Sequence, residues 1–126
     1  MEVDKTIGAI GWMDLTVKDA DATRDFYSSV VGWKTESISM GDYKDYCMLS
    51  PEDGIVRTGI CNAKGENAGI PAQWIMYINV KNLDESINAV EQGGGKVVNG
   101  PRDMGESRFC IIEDPAGACV GLFQHG

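Results

Sequence analysis

An internal repeat with a spacing of 63 positions is the feature that most constrains how this chain can fold. The segment Trp12–Lys34, WMDLTVKDADATRDFYSSVVGWK, aligns with Ile75–Val97, IMYINVKNLDESINAVEQGGGKV. The identical pairs are Met13 and Met76, Val17 and Val80, Lys18 and Lys81, Asp21 and Asp84, and Gly32 and Gly95. This pattern predicts two copies of one supersecondary unit, neither of which buries its apolar face alone.

Each copy has the pattern of a strand followed by a helix. In the first copy, Met13, Leu15 and Val17 alternate with more polar residues, as in a half-buried strand. Asp19 and Asn82 are good N-cap residues, and glycines follow both predicted helices. The apolar residues at helical spacing, which predict the core-facing stripe of each helix, are Ala22, Phe26 and Val30 in the first and Ile87 and Val90 in the second.

Three short strand signals follow each predicted helix, at about 33–39, 44–50 and 55–61 and at about 96–99, 107–112 and 117–124. The turns SPEDG and DPAG suit tight connections between antiparallel strands, and the polar, Gly-rich segment 62–73 suits a linker. The sequence therefore predicts one α+β domain over residues 1–126, with two βαβββ modules at about 6–61 and about 74–124. Each module needs the other, in the same chain or in a second one, to cover its sheet.

Charge, hydropathy and cysteine spacing restrict the class of protein. The formal charge is −8 and the 11 basic residues are scattered, whereas nucleic-acid binding needs clustered cations. No apolar run approaches the roughly 18 residues of a membrane span, and the start has no basic leader. The four cysteines form no CxxC pair and lie in apolar runs, which predicts buried, reduced thiols. We therefore expect a cytoplasmic protein that binds neither nucleic acid nor membrane.

Three segments together resemble one known superfamily. They are GWMDLTVKDADATRDFYSSVVGW, PAQWIMYINVKNLDESINAVEQGGGKVV and EDPAGACVGLFQ, and they extend over nearly the whole chain. Their order and spacing resemble the glyoxalase, bleomycin-resistance and extradiol-dioxygenase superfamily, also called the vicinal oxygen chelate fold. The resemblance implies two βαβββ modules that form a curved mixed sheet around a small-molecule cavity, in a homodimer.

The resemblance also implies a divalent metal held by side chains from equivalent strands of the two modules. In this sequence the corresponding positions are Trp12 and Ile75 in the first strands and Gly59 and Gly121 in the fourth strands. None of these side chains can ligate a metal. We therefore expect no metal and no cofactor. The two glycines are expected to leave room for a ligand or for a large neighbour such as Trp12, the alternative being a bulge or a close strand crossing.

Aromatic side chains are the main candidates for contact with a ligand. Strand alternation places Trp12, Tyr77 and Phe123 on the faces where the resemblance implies a ligand, and Tyr46 lies in a connecting strand. Any one of them could instead be an ordinary core residue. The predicted ligand-binding residues are Trp12, Asp14, Tyr46, Arg57, Gly59, Ile75, Tyr77, Gly121 and Phe123.

Polar candidates are few. Asp14 shares a strand face with Trp12, so it is a candidate catalytic base or a partner for a cationic ligand. The alternative is that Asp14 pairs with Arg57 or with a backbone donor. The sole histidine, His125, is expected to be solvated because it lies next to the last residue.

Three functions are compatible with these residues. The first is a metal-free protein that binds a small molecule, aromatic or cationic, in a cavity between the modules. The second is an enzyme of the same superfamily, either a metal-dependent lyase, isomerase or dioxygenase or a metal-free one that uses Asp14. The third is a structural or regulatory partner with a filled cavity. Whether the protein is an enzyme stays open, because one fold supports many chemistries.

Overall fold

A computed structural model describes residues 3–126. It contains eight strands, two helices and a short 3-10 turn at Gly65–Asn67. In chain order the strands and helices are β1 (Ile10–Val17), α1 (Ala20–Val31), β2 (Lys34–Ser39), β3 (Lys44–Leu49), β4 (Val56–Asn62), β5 (Trp74–Asn79), α2 (Leu83–Gln92), β6 (Lys96–Met104), β7 (Ser107–Glu113) and β8 (Cys119–Gln124). The predicted α+β class and the two βαβββ modules are confirmed.

Both helices begin and end where the sequence predicts. The side chain of Asp19 accepts a hydrogen bond from the amide of Ala22 at 3.0 Å, and Asn82 caps α2 through the amide of Glu85 at 3.0 Å. Gly32 ends α1 with a φ of 75°, a left-handed conformation that glycine adopts without steric cost. The helix boundaries therefore follow from local chemistry.

The first compact unit comprises Met13–Trp74. Its strands lie in the order β2-β3-β4-β1, with β1 parallel to β4 and the other pairs antiparallel. Helix α1 covers one face of this sheet. The buried residues of that core are Ala20, Tyr46, Met48 and Ile60, and Val17, Tyr27, Trp33 and Trp74 pack against them.

The second compact unit comprises Ile75–Gly126 together with the segment up to Trp12. Its strands lie in the order β5-β8-β7-β6, with β5 parallel to β8, and α2 covers a core of Leu83, Cys110, Ile112 and Leu122. The amide of Gly8 donates to the carbonyl of Asn79 at 2.8 Å, and the amide of Asn79 donates to the carbonyl of Ala9 at 2.9 Å. The segment before β1 therefore joins the second unit, a grouping that the predicted module boundaries do not contain.

The apolar stripe of α1 faces outward, which corrects the prediction that it faces the core. Phe26 and Val30 are each 60% exposed. Tyr27 packs inward instead, with its ring centroid 5.3 Å from that of Trp74. In α2 the prediction holds, because Ile87 and Val90 pack against the core of the second unit.

All four cysteines are free thiols, but only Cys110 is buried. Cys47, Cys61 and Cys119 are partly exposed, so the expectation of buried thiols is correct for one position. Between residues 3 and 126, no helix has the length and apolar character that crossing a membrane would require.

Candidate functional site

Four rings lie in a row on the sheet face of the second unit that α2 does not cover. Tyr77 meets Phe109 edge-on with ring centroids 6.1 Å apart, and Phe109 stacks on Phe123 at 6.1 Å with 14° between the ring planes. The ring of His125 lies 4.7 Å from that of Phe123. We call these four residues the aromatic row. Arg102 adds a cation, its guanidinium 4.7 Å from the centroid of Phe109.

Gly121 is a glycine because the ring of Tyr77 occupies the space in front of it. The two residues are partners on neighbouring strands. A Cβ at position 121 would lie 2.0 Å from Cδ2 and 2.4 Å from Cε2 of Tyr77, far below carbon contact distance. The large side chain that requires a glycine at position 121 is therefore Tyr77 rather than the predicted Trp12. The close approach of a neighbouring ring, and not a bulge, explains this residue.

His125 is held in place, which corrects the expectation of a solvated side chain. It is half-buried, and its Nε2 lies 3.0 Å from Oδ1 of Asn79. Because Nδ2 of Asn79 donates to the carbonyls of Asp4 (2.7 Å) and Thr6 (3.1 Å), Oδ1 is the acceptor and Nε2 of His125 the donor. The sequence signal for this position is strand alternation. Side chains two residues apart lie on the same face of a strand, so the alternation that includes Gly121 and Phe123 also includes His125.

Asp14 lies on the open face of the first unit, the face that α1 does not cover. It is half-buried and is the strand partner of Gly59, which is in turn the partner of Cys47. Burial, followed by the carboxylates of Asp14 and Asp45, raises the pKa of the Cys61 thiol to about 12. This thiol is therefore neutral near pH 7 and is not a nucleophile.

Two predicted ligand-binding residues lie elsewhere. Tyr46 is buried beneath α1, where its hydroxyl donates to Oδ1 of Asp21 at 2.6 Å, because β3 turns this side chain to the helix-covered face. The side chain of Arg57 contacts two residues of the connection between β3 and β4. Its Nε donates to Oγ of Ser50 at 2.7 Å, and its Nη2 lies 2.7 Å from Oδ2 of Asp53. Tyr46 is thus a core residue, and Arg57 is held by its own turn.

The remaining predicted residues divide between the two units. Asp14 and Gly59 lie together in the first unit, and Tyr77, Gly121 and Phe123 lie together in the second. Trp12, half-buried, and Ile75, 1% exposed, also belong to the second unit.

The residues present do not fit the metal that the resemblance implies. Trp12, Gly59, Ile75 and Gly121 offer no ligating side chain, and the ring of Tyr77 lies where a side chain from position 121 would extend. Within residues 3–126, no three His, Cys, Asp or Glu side chains come together in a group that could hold a metal ion.

Relatives share this sequence pattern over nearly the whole chain. The protein CFP32 of Mycobacterium bovis is 34% identical over 119 residues, which are 93% of this chain and 46% of CFP32. The anthracycline biosynthesis protein DnrV of Streptomyces peucetius is 29% identical over 132 residues, covering 94% of this chain and 48% of DnrV. The chain thus spans about half the length of the curated relatives that it matches.

Solved structures share the fold at lower identity. A glyoxalase/bleomycin resistance protein/dioxygenase superfamily member from Vibrio splendidus 12B01 has a TM-score of 0.58 at 12% identity, covering 90% of this chain and 97% of that one. Methylmalonyl-CoA epimerase from Mycobacterium tuberculosis has a TM-score of 0.55 at 17% identity, covering 90% and 85%. The family model described as Glyoxalase/Bleomycin resistance protein/Dioxygenase superfamily matches residues 9–121. The chain therefore belongs to this superfamily.

Proposed function

We propose that the protein binds a small planar organic molecule and does so without the metal of its superfamily. The observation that carries this proposal is the contact between Tyr77 and Gly121. At a position where the resemblance implies a metal-binding glutamate, this chain has no side chain and an aromatic ring covers the backbone. An aromatic surface thus replaces a ligating one.

The aromatic row suits a flat, apolar ligand. Phe123 and His125 are half-buried, which leaves surface for stacking, while Tyr77 and Phe109 are buried. Stacked or edge-on ring pairs add about 0.5–1.5 kcal/mol beyond area burial. The relative DnrV is named for anthracycline biosynthesis, and anthracyclines are polycyclic aromatic compounds, so a ligand of that class is the first one to test.

The contact between Tyr77 and Gly121 also favours one alternative function. If Tyr77 fills the space that a ligand would need, the protein acts as a structural or regulatory partner with a filled cavity. Ligand binding separates the two proposals.

The test is a calorimetric screen of planar aromatic compounds, combined with elemental analysis of the protein. Phe123→Ala removes a half-buried ring of the aromatic row and should weaken binding at least tenfold. Tyr43→Ala is the control, because Tyr43 lies in the first unit and its ring contacts Lys64. About one divalent metal per chain would contradict the metal-free proposal. Absence of binding to the wild type would favour the filled cavity.

A further inference from the structure

The ring of His125 differs from the other rings of the aromatic row because it contains two nitrogen atoms, either of which can donate or accept a hydrogen bond. Nε2 lies 3.0 Å from Oδ1 of Asn79, and no group between residues 3 and 126 forms a hydrogen bond with Nδ1. The two nitrogens thus have different surroundings. The hydrogen bond of the first determines the chemistry of the second.

The orientation of the Asn79 side chain is fixed by the backbone around it. Asn79 is 2% exposed, and its Nδ2 donates to the carbonyls of Asp4 and Thr6 at 2.7 and 3.1 Å. A rotated amide would turn Oδ1 toward these two carbonyl oxygens, which cannot donate to it. Strand β1 passes so close that a Cβ at Gly11 would lie 3.0 Å from Oδ1. Oδ1 therefore has a fixed place and only accepts.

This acceptor selects the tautomer of His125. Because Oδ1 of Asn79 only accepts, the nitrogen that faces it, Nε2, carries a proton. A neutral imidazole has one N–H group, so Nδ1 then holds a lone pair. The bonding directions of the two nitrogens diverge, and Nδ1 consequently points away from Asn79. The buried amide thus makes the second nitrogen of His125 a hydrogen-bond acceptor.

Nδ1 belongs to a ring that adjoins the surface on which a planar ligand would stack. The ring centroids of His125 and Phe123 are 4.7 Å apart, and the ring planes are inclined by 54°. Because of that angle, a molecule that lies flat on Phe123 cannot also lie flat on His125 and meets the edge of its ring. The nitrogens are on that edge, and Nε2 is already bound to Asn79. Nδ1 is therefore the nitrogen that remains for a ligand.

We propose that Nδ1 of His125 accepts a hydrogen bond from a hydroxyl group of the ligand, so that the protein selects hydroxylated planar aromatic compounds. This inference rests on the proposed function, because it assumes a ligand on the aromatic row. A phenol is complementary to the pair of rings: its own ring stacks on Phe123, and its O–H group donates to the edge of His125. Asn79 is a positioning residue, since it acts through His125 and does not touch the ligand.

The hydrogen bond also discriminates against compounds without a donor. An ether or carbonyl oxygen at the same place would bring its lone pairs toward the lone pair of Nδ1, and neither atom could donate. A neutral hydrogen bond of ordinary strength changes a dissociation constant about three- to tenfold. Selection therefore depends on one proton of the ligand and not on its shape.

The first test is calorimetry at about pH 8 with matched probes. The probes are 2-naphthol and 2-hydroxyanthraquinone, each paired with its methyl ether. We expect each hydroxyl compound to bind about three- to tenfold more tightly than its ether. His125→Phe keeps a ring and removes both nitrogens, so the ethers should bind as before while the hydroxyl compounds lose their advantage. Tyr43→Phe, which removes a hydroxyl from a ring of the first unit, is the control and should keep the preference.

The second test is nitrogen-15 NMR of the untagged protein, which reports the tautomer without any ligand. The chain has a single histidine, so the imidazole signals belong to one residue. We expect a protonated Nε2 and an unprotonated Nδ1 in the wild type, and a mixture of both tautomers in Asn79→Ala. Adding 2-naphthol should shift the Nδ1 resonance, whereas its methyl ether should not. If Asn79→Ala does not fold, the wild-type spectrum alone decides the tautomer.

The outcomes separate this inference from the proposed function. A proton on Nδ1 in the wild type contradicts the assignment of the acceptor. Equal binding of the hydroxyl compounds and their ethers, or an unchanged preference in His125→Phe, overturns the inference and leaves the proposed function in place. Absence of binding by all four compounds contradicts the proposed function, and the inference falls with it.

Discussion

Replacing Gly121 by alanine should destabilise the protein, because one methyl group meets the ring of Tyr77. The added Cβ would lie 2.0 Å from Cδ2, whereas optimal carbon contacts are about 3.5–4.0 Å, so the ring must move by about 1.5 Å. Tyr77 is 6% exposed and contacts Phe109, which leaves little room for that movement. Overpacking costs about 1–3 kcal/mol of stability. Because the added methyl group comes so close to the ring, we expect a loss of about 3 kcal/mol for this variant. The φ of Gly121 is outside the left-handed region, so backbone strain adds nothing.

A double-mutant cycle isolates the contact. The free energy of unfolding in urea is measured for the wild type, Gly121→Ala, Tyr77→Ala and the double variant. Without the ring, Gly121→Ala should be neutral or stabilising by up to about 1 kcal/mol, because alanine restricts the unfolded chain. Tyr77→Phe keeps the ring and removes only the hydroxyl, so Gly121→Ala should still cost about 3 kcal/mol in that background.

The reasoning fails if Gly121→Ala costs the same with and without the ring at position 77, since the loss would then come from the backbone. It also fails if the free energy of unfolding of Gly121→Ala lies within about 0.5 kcal/mol of the wild-type value, because an ordinary surface substitution changes it by that much. Coincident transitions by fluorescence and circular dichroism are needed for either conclusion.

Further predictions concern pH, the N-terminal segment and the ligand. Burial raises the pKa of Cys61 to about 12 and that of Cys110 to about 11, both above the unfolded value of 9.0. Stability that depends on these neutral thiols is complete below pH 9 and declines as the pH rises through about 11 and 12, so urea midpoints should fall over that range, and less so in Cys61→Ala. Asn79→Ala removes the side-chain donor to the carbonyls of Asp4 and Thr6 and should cost about 1–3 kcal/mol, with faster amide hydrogen exchange in residues 4–9. Trp12→Ala should weaken ligand binding by about 1–3 kcal/mol in the same calorimetric screen.

The elements of the fold are predictable because their signals are local. The caps at Asp19 and Asn82, the glycine after α1 and the alternation of β1 each depend on a few neighbouring residues. The repeat then combines these signals into modules, since two copies with the same order of elements constrain each other. The local signals together with the repeat therefore account for the two βαβββ modules.

The candidate site is less predictable because it depends on which side chain fills which space. Sequence alone indicates that Gly121 makes room for something, but the neighbour is set by strand pairing with β5, which selects Tyr77. Helical period gives α1 an apolar stripe without saying which side packs on the sheet. One of the two tryptophans that contact Tyr27, Trp74, is 47 residues away in sequence. The position of His125 next to the last residue predicts a solvated side chain, whereas strand alternation places it on the same face as Phe123.

The hydrogen bonds of Asn79 make the second unit discontinuous along the chain. The side-chain amide of Asn79 donates to the carbonyl of Asp4, which lies 75 residues earlier in the chain. The whole first unit, Met13–Trp74, is inserted between the two parts of the second unit. Closing a loop of that length in an unfolded chain costs roughly 4 kcal/mol in entropy. Once the first unit has folded, most of that loop is already ordered, so completion of the second unit should follow folding of the first. For the same reason, a fragment that starts at Ile75 would lack residues that the buried amide of Asn79 requires.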